Sequence, residues 1–261
     1  MDILILLGMG GLAGMLAGLL GIGGGIIIVP VLALVFAHQG VAPEAIMHVA
    51  IGTSLATIVV TSLSSIRAHQ RRGAIDWRVF RVITPGIIVG GVLGAAIAKQ
   101  LAGDTLRLAF ASFMLLVAAQ MALGRTPPAH RRLPGTAGIG LAGALIGTVS
   151  TLMGVGGGSM SVPFLTWCNV PVRAAVGTSA AIGLPIAVTG ALSYVVSGWH
   201  GAHLPPWSVG FVNLPAFTGI VVASTLFAPA GAALAHRIPP LLLKRLFAAF
   251  LLVLGIRMFL A

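Results

Sequence analysis

The chain has 261 residues, of which 58% are hydrophobic and only 7% are charged, and its formal net charge is +11. Because a soluble domain has about a quarter of its residues charged, this composition excludes an ordinary soluble protein and indicates a protein that crosses a membrane several times. The basic residues cluster between apolar segments rather than along a stripe. This disfavours nucleic acid as a partner and is typical of loops that face lipid headgroups.

Eight apolar segments follow one another along the chain, and six of them have about the 20 residues that a spanning helix needs. The segments are 3–37, 46–66, 79–99, 106–123, 135–168, 174–197, 208–228 and 241–260. The first and the fifth are much too long for one crossing, and each contains a run of glycines. We therefore predict an all-α polytopic membrane protein with about eight full spans and two short or re-entrant arms.

The two long segments carry the same pattern. "GIGGGIIIVP" at 21–30 returns as "GVGGGSMSVP" at 154–163, and "IGTSLA" at 51–56 returns as "VGTSAA" at 176–181. Recurrence in the same order is the signature of an internal repeat, and secondary transporters are commonly built from such repeats.

Two further residues extend the match between the halves, since Trp77 and Pro85 have the same spacing as Trp207 and Pro215. We predict two transmembrane repeats, residues 1–128 and 129–261, joined by the polar, proline-rich stretch "GRTPPAHRRLPG". Each repeat would contain five elements, the first two being the arms of the broken segment.

The charges indicate how these elements alternate between the two sides of the membrane. If each long segment crosses once, Arg72 and Arg173 lie on opposite sides, and the 15 basic residues divide nine to six. If each long segment is split at its glycines, twelve share one side and only Lys99, Arg107 and Arg257 lie on the other. Because basic loops stay in the cytoplasm, we predict the split topology, in which the second repeat is inverted and both termini are periplasmic.

The glycine breaks are the first candidate binding residues. Three successive glycines weaken a helix by roughly 1 kcal/mol each relative to alanine, and broken backbone at membrane depth is tolerated only where it is buried in protein or lines a cavity. The exposed N–H groups of such half-helices suit an anion. The candidates are Gly23, Gly24, Gly25, Gly156, Gly157, Gly158 and Ser159, with Pro30 and Pro163 as hinges. Close helix packing through small residues is the plainer interpretation.

The repeated Gly-Thr-Ser stretch supplies hydroxyl groups. Thr53, Ser54, Thr178 and Ser179 can solvate an oxyanion without binding it too tightly for release, although such residues also bond to their own helices. His48 is the one histidine expected near this site, and an interfacial position at the start of a helix is its plainer interpretation.

The sequence lacks the residues that other kinds of chemistry would need. The four carboxylates, Asp2, Glu44, Asp76 and Asp104, lie at segment ends or in loops, so neither an acidic cation pore nor a proton relay is expected. The sequence shows no metal cluster, no partnered nucleophile and no Lys-Ser/Thr after the glycines. We therefore expect no enzyme, no cofactor, no metal and no nucleotide.

The paired "G-x-G-G-G…V-P" stretches, the two Gly-Thr-Ser stretches, "RRGAIDW" and the C-terminal "APAGAALAHRIPPLLLKRLFAAFLLVLGIRMF" resemble the TauE/SafE family of sulfite and organosulfonate exporters. The resemblance covers nearly the whole chain. It implies a transporter in a bacterial or archaeal cytoplasmic membrane whose solute is a small sulfur-containing anion, such as sulfite or an organosulfonate.

Taken together, the residues and the resemblance predict an exporter that works by alternating access around a site at the membrane midplane. The alternatives are a passive anion channel, a permease for another small organic anion, and a membrane scaffold or sensor that binds the anion without moving it. The sequence leaves the anion, the coupling ion and the oligomeric state open.

Overall fold

A computed structural model describes residues 25–123, 133–201, 204–235 and 240–260, and within them the chain forms nine helices and one small hairpin. The helices are α1 (Gly25–His38), α2 (Pro43–Arg71), α3 (Trp77–Gln100), α4 (Gly103–Leu123), α5 (Thr136–Met153), α6 (Gly158–Trp167), α7 (Val172–Gly198), α8 (Leu214–Ala235) and α9 (Pro240–Leu260). The strands are β1 (Ser208–Val209) and β2 (Val212–Asn213).

The predicted break in the segment 135–168 is confirmed. Helix α5 ends at Met153 because Gly154 adopts the left-handed conformation, with φ of 66°, and the N–H of Val155 turns back to the carbonyl of Ser150 (N···O 2.9 Å). Such a left-handed glycine is a common helix terminator. Helix α6 then begins at Gly158 and has only 10 residues.

The segment 208–228 differs from the prediction, because its first six residues form the hairpin and a helix begins only at Leu214. Ser208 pairs with Asn213 and Val209 with Val212. Gly210, with φ of +56°, makes the turn between the strands possible. The part of the chain that the structure describes is therefore helical except for one short β-element.

Helices α3 and α5 pack in parallel along a stripe of glycines. A Cβ on Gly86, Gly90 or Gly94 would overlap the carbonyl oxygens of residues 140, 144 and 148 respectively, a constant offset of 54 residues. Glycines four residues apart allow such close backbone contact between membrane helices. This stripe joins the first half of the chain to the second.

Helices α2 and α7, which carry the two Gly-Thr-Ser stretches, pack antiparallel. Gly52 approaches the side chain of Tyr194, near the start of one helix and the end of the other. At the opposite end, the guanidinium of Arg173 donates to the carbonyl of Arg72 (Nη2···O 2.7 Å). Equivalent helices of the two predicted repeats thus run in opposite directions.

Helices α4 and α9 are also antiparallel. The Arg107 guanidinium, near the start of α4, donates to the carbonyl of Met258 at the end of α9 (Nη1···O 3.1 Å). Further along the pair, Gly255 approaches Leu115. Arg107 and Arg257 therefore lie at the same end of the bundle.

Five of the described helices, α2, α3, α4, α5 and α7, are 18 to 29 residues long and apolar enough to cross a membrane. Their exposed side chains are largely apolar, as lipid contact requires; these include Leu63, Val89, Val92, Leu116, Leu141, Leu145, Leu192 and Val196. The protein is thus a multi-pass helical membrane protein. Helix α1 is different, because most of its 14 residues are buried, and at 1.5 Å per residue it is shorter than the hydrocarbon core.

Candidate functional site

The threonines of the two Gly-Thr-Ser stretches make equivalent contacts at opposite ends of the α2–α7 pair. The backbone N–H of Asp76 donates to the Thr178 hydroxyl, and the backbone N–H of Asn213 donates to the Thr53 hydroxyl, both with N···O distances of 2.9 Å. In each contact a threonine of one half holds the residue that caps a helix of the other half. Asp76 caps α3 through the N–H groups of residues 78 and 79, and Asn213 caps α8 through that of residue 216.

The glycines of the same stretches make room for the loops that precede α3 and α8. A Cβ on Gly177 would overlap the carbonyl oxygen of Ala74, and a Cβ on Gly52 would overlap that of Phe211. We call the contact of Ala74 and Asp76 with Gly177 and Thr178 the basic seam. The contact of Phe211 and Asn213 with Gly52 and Thr53 is the hairpin seam.

The two seams reveal corresponding loops that the tryptophan spacing does not pair. Both loops begin with a glycine of positive φ, Gly73 at +59° and Gly210 at +56°, and reach their helix cap three residues later. Trp77 is the first residue of α3, whereas Trp207 precedes the hairpin. Trp77 and Trp207, which the sequence pairs together with Pro85 and Pro215, therefore stand at different places relative to their helices; the stretches that make corresponding contacts are "GAID" at 73–76 and "GFVN" at 210–213.

Gly25, the last glycine of the first glycine run, lies against the second break, whereas residues 21–24 of that run lie outside the described residues. A Cβ on Gly25 would lie 2.7 Å from the carbonyl oxygen of Gly154 and 3.0 Å from the Cα of Val155. The hydroxyl of Ser54 donates to the same carbonyl of Gly154 (Oγ···O 2.9 Å). Gly25, Ser54 and the second break therefore belong to one buried cluster.

This cluster lies between α2 and α7, away from their ends. Ile58, near the middle of α2, is the neighbour of both Gly25 and Gly156. On the other side, a Cβ on Gly157 would lie 3.1 Å from the carbonyl oxygen of Ser179 and 3.2 Å from the nitrogen of Gly183. The second break thus contacts the inner parts of both Gly-Thr-Ser helices.

Buried hydroxyls without a partner surround the second break. Five of them accept or donate no hydrogen bond among the described residues: those of Ser150, Thr151, Ser159, Ser161 and Ser179. Burial of a hydroxyl without a hydrogen bond costs about 1–3 kcal/mol, so such groups call for a water molecule or a ligand. Gly21, the repeat equivalent of the Gly154 that Ser54 contacts, lies outside the described residues.

The backbone adds donors to this cluster. Helix α6 begins with no side-chain cap, and the first N–H groups of a helix have no partner within it. Gly156 and Gly157 are buried, and Gly158 and Ser159 are half-buried. N–H groups and hydroxyls together can solvate a small anion.

The remaining predicted residues lie apart from this cluster or inside its helices. Pro30 and Pro163 stand within α1 and α6 rather than at the breaks. Each ring nitrogen of His48 lies 3.0 Å from a carbonyl oxygen, one of Glu44 and one of Ala98, so this histidine connects α2 to α3. Gly23 and Gly24 fall outside the described residues.

Sequence reasoning missed several residues that the structure brings to these contacts. They are Gly154, the capping residues Asp76 and Asn213, and the hydroxyl residues Ser150, Thr151 and Ser161. Ser150 and Thr151 stand one helical turn before the break in an apolar helix, a position that could have marked them. In the described part of the chain, no group of His, Cys, Asp or Glu side chains is arranged to hold a metal ion.

In its described residues, the protein is a polytopic helical protein with a chain break at 154–157 that is buried between packed helices. A sequence model of the family described as "Sulfite exporter TauE/SafE" matches residues 6–258. The chain belongs to this family, and it is a membrane transporter.

Its relatives agree with this class. The chain is 36% identical over 260 residues to a "Probable membrane transporter protein" of Haemophilus influenzae, covering 99% of this chain and 98% of the relative. It is 31% identical to the "Probable membrane transporter protein YunE" of Bacillus subtilis over 76% of this chain and 80% of that one. It is 27% identical to the "Probable membrane transporter protein MJ0441" of Methanocaldococcus jannaschii, covering 98% and 95%. No solved structure gives a significant match.

Proposed function

We propose that this transporter exports a small sulfur-containing oxyanion, such as sulfite or an organosulfonate, by alternating access around a site where the two glycine breaks meet. The observation that carries the proposal is the cluster of buried, unpartnered hydroxyls beside the uncapped start of α6. Donors without a negative partner suit an anion that must be both bound and released. The family name supports the sulfur-containing class.

The proposed site consists of residues from both halves of the chain. Its members are Gly23, Gly24, Gly25, Thr53, Ser54, Gly156, Gly157, Gly158, Ser159, Thr178 and Ser179, with Pro30 and Pro163 as hinges. Ser179 is the best hydroxyl ligand of the two Gly-Thr-Ser stretches, because it has no partner among the described residues, whereas the Ser54 hydroxyl donates its proton to the carbonyl of Gly154 and the threonine hydroxyls lie at the seams. His48 is a supporting residue at most, since both its ring nitrogens face carbonyl oxygens.

We propose further that residues 1–128 and 129–261 are inverted repeats. The antiparallel packing of α2 with α7 and of α4 with α9 supports this, because eight straight crossings would make both pairs parallel. The contact of Arg173 with Arg72 supports it as well, since straight crossings would separate these residues by the membrane. The parallel pair α3 and α5 agrees with either topology.

The basic seam then faces the cytoplasm of a bacterial cell, and both termini face the periplasm. Rocking of one half against the other around a fixed site would expose the anion to each side in turn. The arms α1 and α6 are too short to cross alone, which supports re-entrant arms.

Flux of a labelled anion tests the proposal. Liposomes of purified protein loaded with labelled sulfite or methanesulfonate should release it, and Gly157→Leu should abolish release because the larger side chain meets Ser179, Ile182 and Gly183. Ser179→Ala should reduce release about tenfold, the loss expected for one hydrogen bond to a charged group. Ser64→Ala is the matched control, because the Ser64 hydroxyl is exposed and bonds only within its own helix.

The same assay separates the alternatives. Export against a concentration gradient, driven by an ion gradient, is expected; flux that only follows the anion's own gradient would favour a channel. Anion binding without flux would favour a scaffold or sensor. Unchanged flux in Gly157→Leu would refute the assignment of the site.

A further inference from the structure

The basic seam contains an open cavity. Its volume is about 430 Å³, and it lies between the end of α2 and the start of α7. It is lined by His69, Arg72, Ala74, Val172, Arg173 and Val176. No carboxylate of the described residues is among its lining groups, and the nearest in sequence, Asp76, is engaged as the cap of α3.

The equivalent positions of the hairpin seam are filled instead. The Phe211 ring, at the position of Ala74, lies 5.0 Å from the ring of His48 and 6.4 Å from that of Tyr194. His48 and Tyr194 stand at the positions of Arg173 and His69, and both are buried. The shared backbone framework therefore does not itself leave a cavity, because the cavity depends on a small residue at position 74.

The charge of the cavity is uncompensated. Arg72 and Arg173 are exposed, and the only salt bridge among the described residues is the one between Arg107 and Asp104. Arg173 uses one donor on the Arg72 carbonyl (2.7 Å), which orients its guanidinium and leaves its other donors free. Two arginines that line one cavity without a carboxylate favour an anion there, and the planar guanidinium fork matches oxyanion geometry.

We propose that this cavity is a second oxyanion site, in which Arg72 and Arg173 bind the sulfonate, sulfite or phosphate group of a small anion or of a lipid headgroup. As a capture site for the transported anion the cavity rests on the proposed function, because it lies at the basic, cytoplasmic end of the α2–α7 pair. An anion held there is concentrated beside the seam that links the two halves.

Binding measurements on the full chain test the site independently of transport. The protein carries Gly157→Leu to block the glycine breaks and sits in nanodiscs of phosphatidylcholine, and calorimetry measures its affinity for sulfite. Arg173→Gln and Ala74→Phe should each weaken this affinity at least tenfold, because one removes a charged ligand and the other fills the cavity as Phe211 fills its counterpart. Arg78→Gln is the matched control; it removes the same charge from the first turn of α3, outside the cavity, and its affinity should change less than twofold.

A second arm separates the two sources of the oxyanion. Adding phosphatidylglycerol to the nanodiscs should leave the affinity for sulfite nearly unchanged if the ligand is a free anion. If phosphatidylglycerol lowers the affinity for sulfite, and no longer does so in Ala74→Phe, the cavity binds a lipid headgroup. Affinities in Arg173→Gln and Ala74→Phe equal to that of Arg78→Gln, in both kinds of nanodisc, would overturn the site.

Transport measurements distinguish failure of the cavity site from failure of the proposed function. With intact glycine breaks, Arg173→Gln should raise KM for the anion on the side of the basic seam and leave kcat within about twofold. Absence of flux in the unaltered protein would refute the proposed function while leaving the binding result valid. Flux with an unchanged KM in both cavity variants would refute the capture role alone.

Discussion

The basic seam and the hairpin seam share their backbone contacts but differ in their side chains. In both, a glycine of one half lies against a loop carbonyl of the other, and the neighbouring threonine accepts the N–H of a helix cap. The loop at the basic seam is short, and a cavity lined by arginines lies beside it. The loop at the hairpin seam is longer, and the space beside it is filled by Phe211, His48 and Tyr194.

This difference separates the requirements of the fold from those of function. Features shared by both seams are the ones that hold the two halves together: a glycine, a threonine, a left-handed glycine in the loop and a capping carboxylate or amide. Features that differ determine what can reach each end of the α2–α7 pair. The largest expected effects of mutation therefore lie in the shared features.

Replacing the seam glycines with a larger residue should disrupt the contacts at both seams. Gly177→Leu and Gly52→Leu force a side chain into a buried backbone carbonyl, so each should lower the free energy of unfolding by about 3 kcal/mol. Thermal denaturation in detergent measures the loss. Gly140→Ala is the control, because its Cβ would meet nothing within 4 Å; it should be neutral or slightly stabilising. Equal melting temperatures for all three variants would contradict the close backbone contacts at the two seams.

Emptying the hairpin seam should make it resemble the basic seam. Phe211→Ala removes the half-buried ring that packs on His48 and Tyr194, and the lost contacts should cost about 2 kcal/mol of unfolding free energy. The same variant should admit a water-soluble thiol reagent to a cysteine introduced at Tyr194, a buried position whose ring faces that of Phe211. Unchanged labelling would indicate that Phe211 does not close this end.

Removing the threonine hydroxyls should affect the two seams equally. Thr53→Val and Thr178→Val keep the side-chain shape but leave a backbone N–H without its acceptor, which should cost about 1–2 kcal/mol in each case. The comparison of the two melting curves is the measurement, with the exposed Thr218→Val as control. A large loss at one seam only would contradict their equivalence.

Removing the helix caps should produce the smallest losses of unfolding free energy, and these losses should differ between the two seams. Asp76→Ala should cost about 1 kcal/mol. Asn213→Ala should cost somewhat more, because the Asn213 amide also donates to the carbonyl of Pro206 (3.1 Å) and to the Ser208 hydroxyl (3.2 Å). Melting temperatures of the two variants give the order, and the reverse order would indicate that the hairpin contacts contribute little.

Much of the helical pattern could be predicted from the sequence, because apolar length and glycine breaks determine where membrane helices begin and end. The break at Gly154 and helices α2 to α5 and α7 lie close to the predicted segments. The hairpin could not be recognised, since its apolar residues read as the start of a helix. Only the turn at Gly210 distinguishes it, and a single glycine has many other uses in a membrane segment.

The candidate site was predicted in part. The sequence pointed to the glycines and to the Gly-Thr-Ser stretches, because both recur. It could not distinguish Ser54, which contacts the break, from Thr53, which binds a helix cap, because the partner of each hydroxyl depends on tertiary packing. The equivalence of "GAID" and "GFVN" was hidden because the hairpin adds residues between helix and cap, and tryptophan spacing suggested another alignment.

Cysteine labelling in intact cells tests the inverted arrangement of the two halves most directly. The chain has one cysteine, Cys168, so single cysteines can be placed at Arg72, Arg173, Arg107 and Arg257 in a Cys168→Ser background. A maleimide that cannot cross the membrane should label positions 107 and 257 in intact cells, and positions 72 and 173 only after the cells are opened. Labelling that puts 72 and 173 on opposite sides of the membrane would contradict the account.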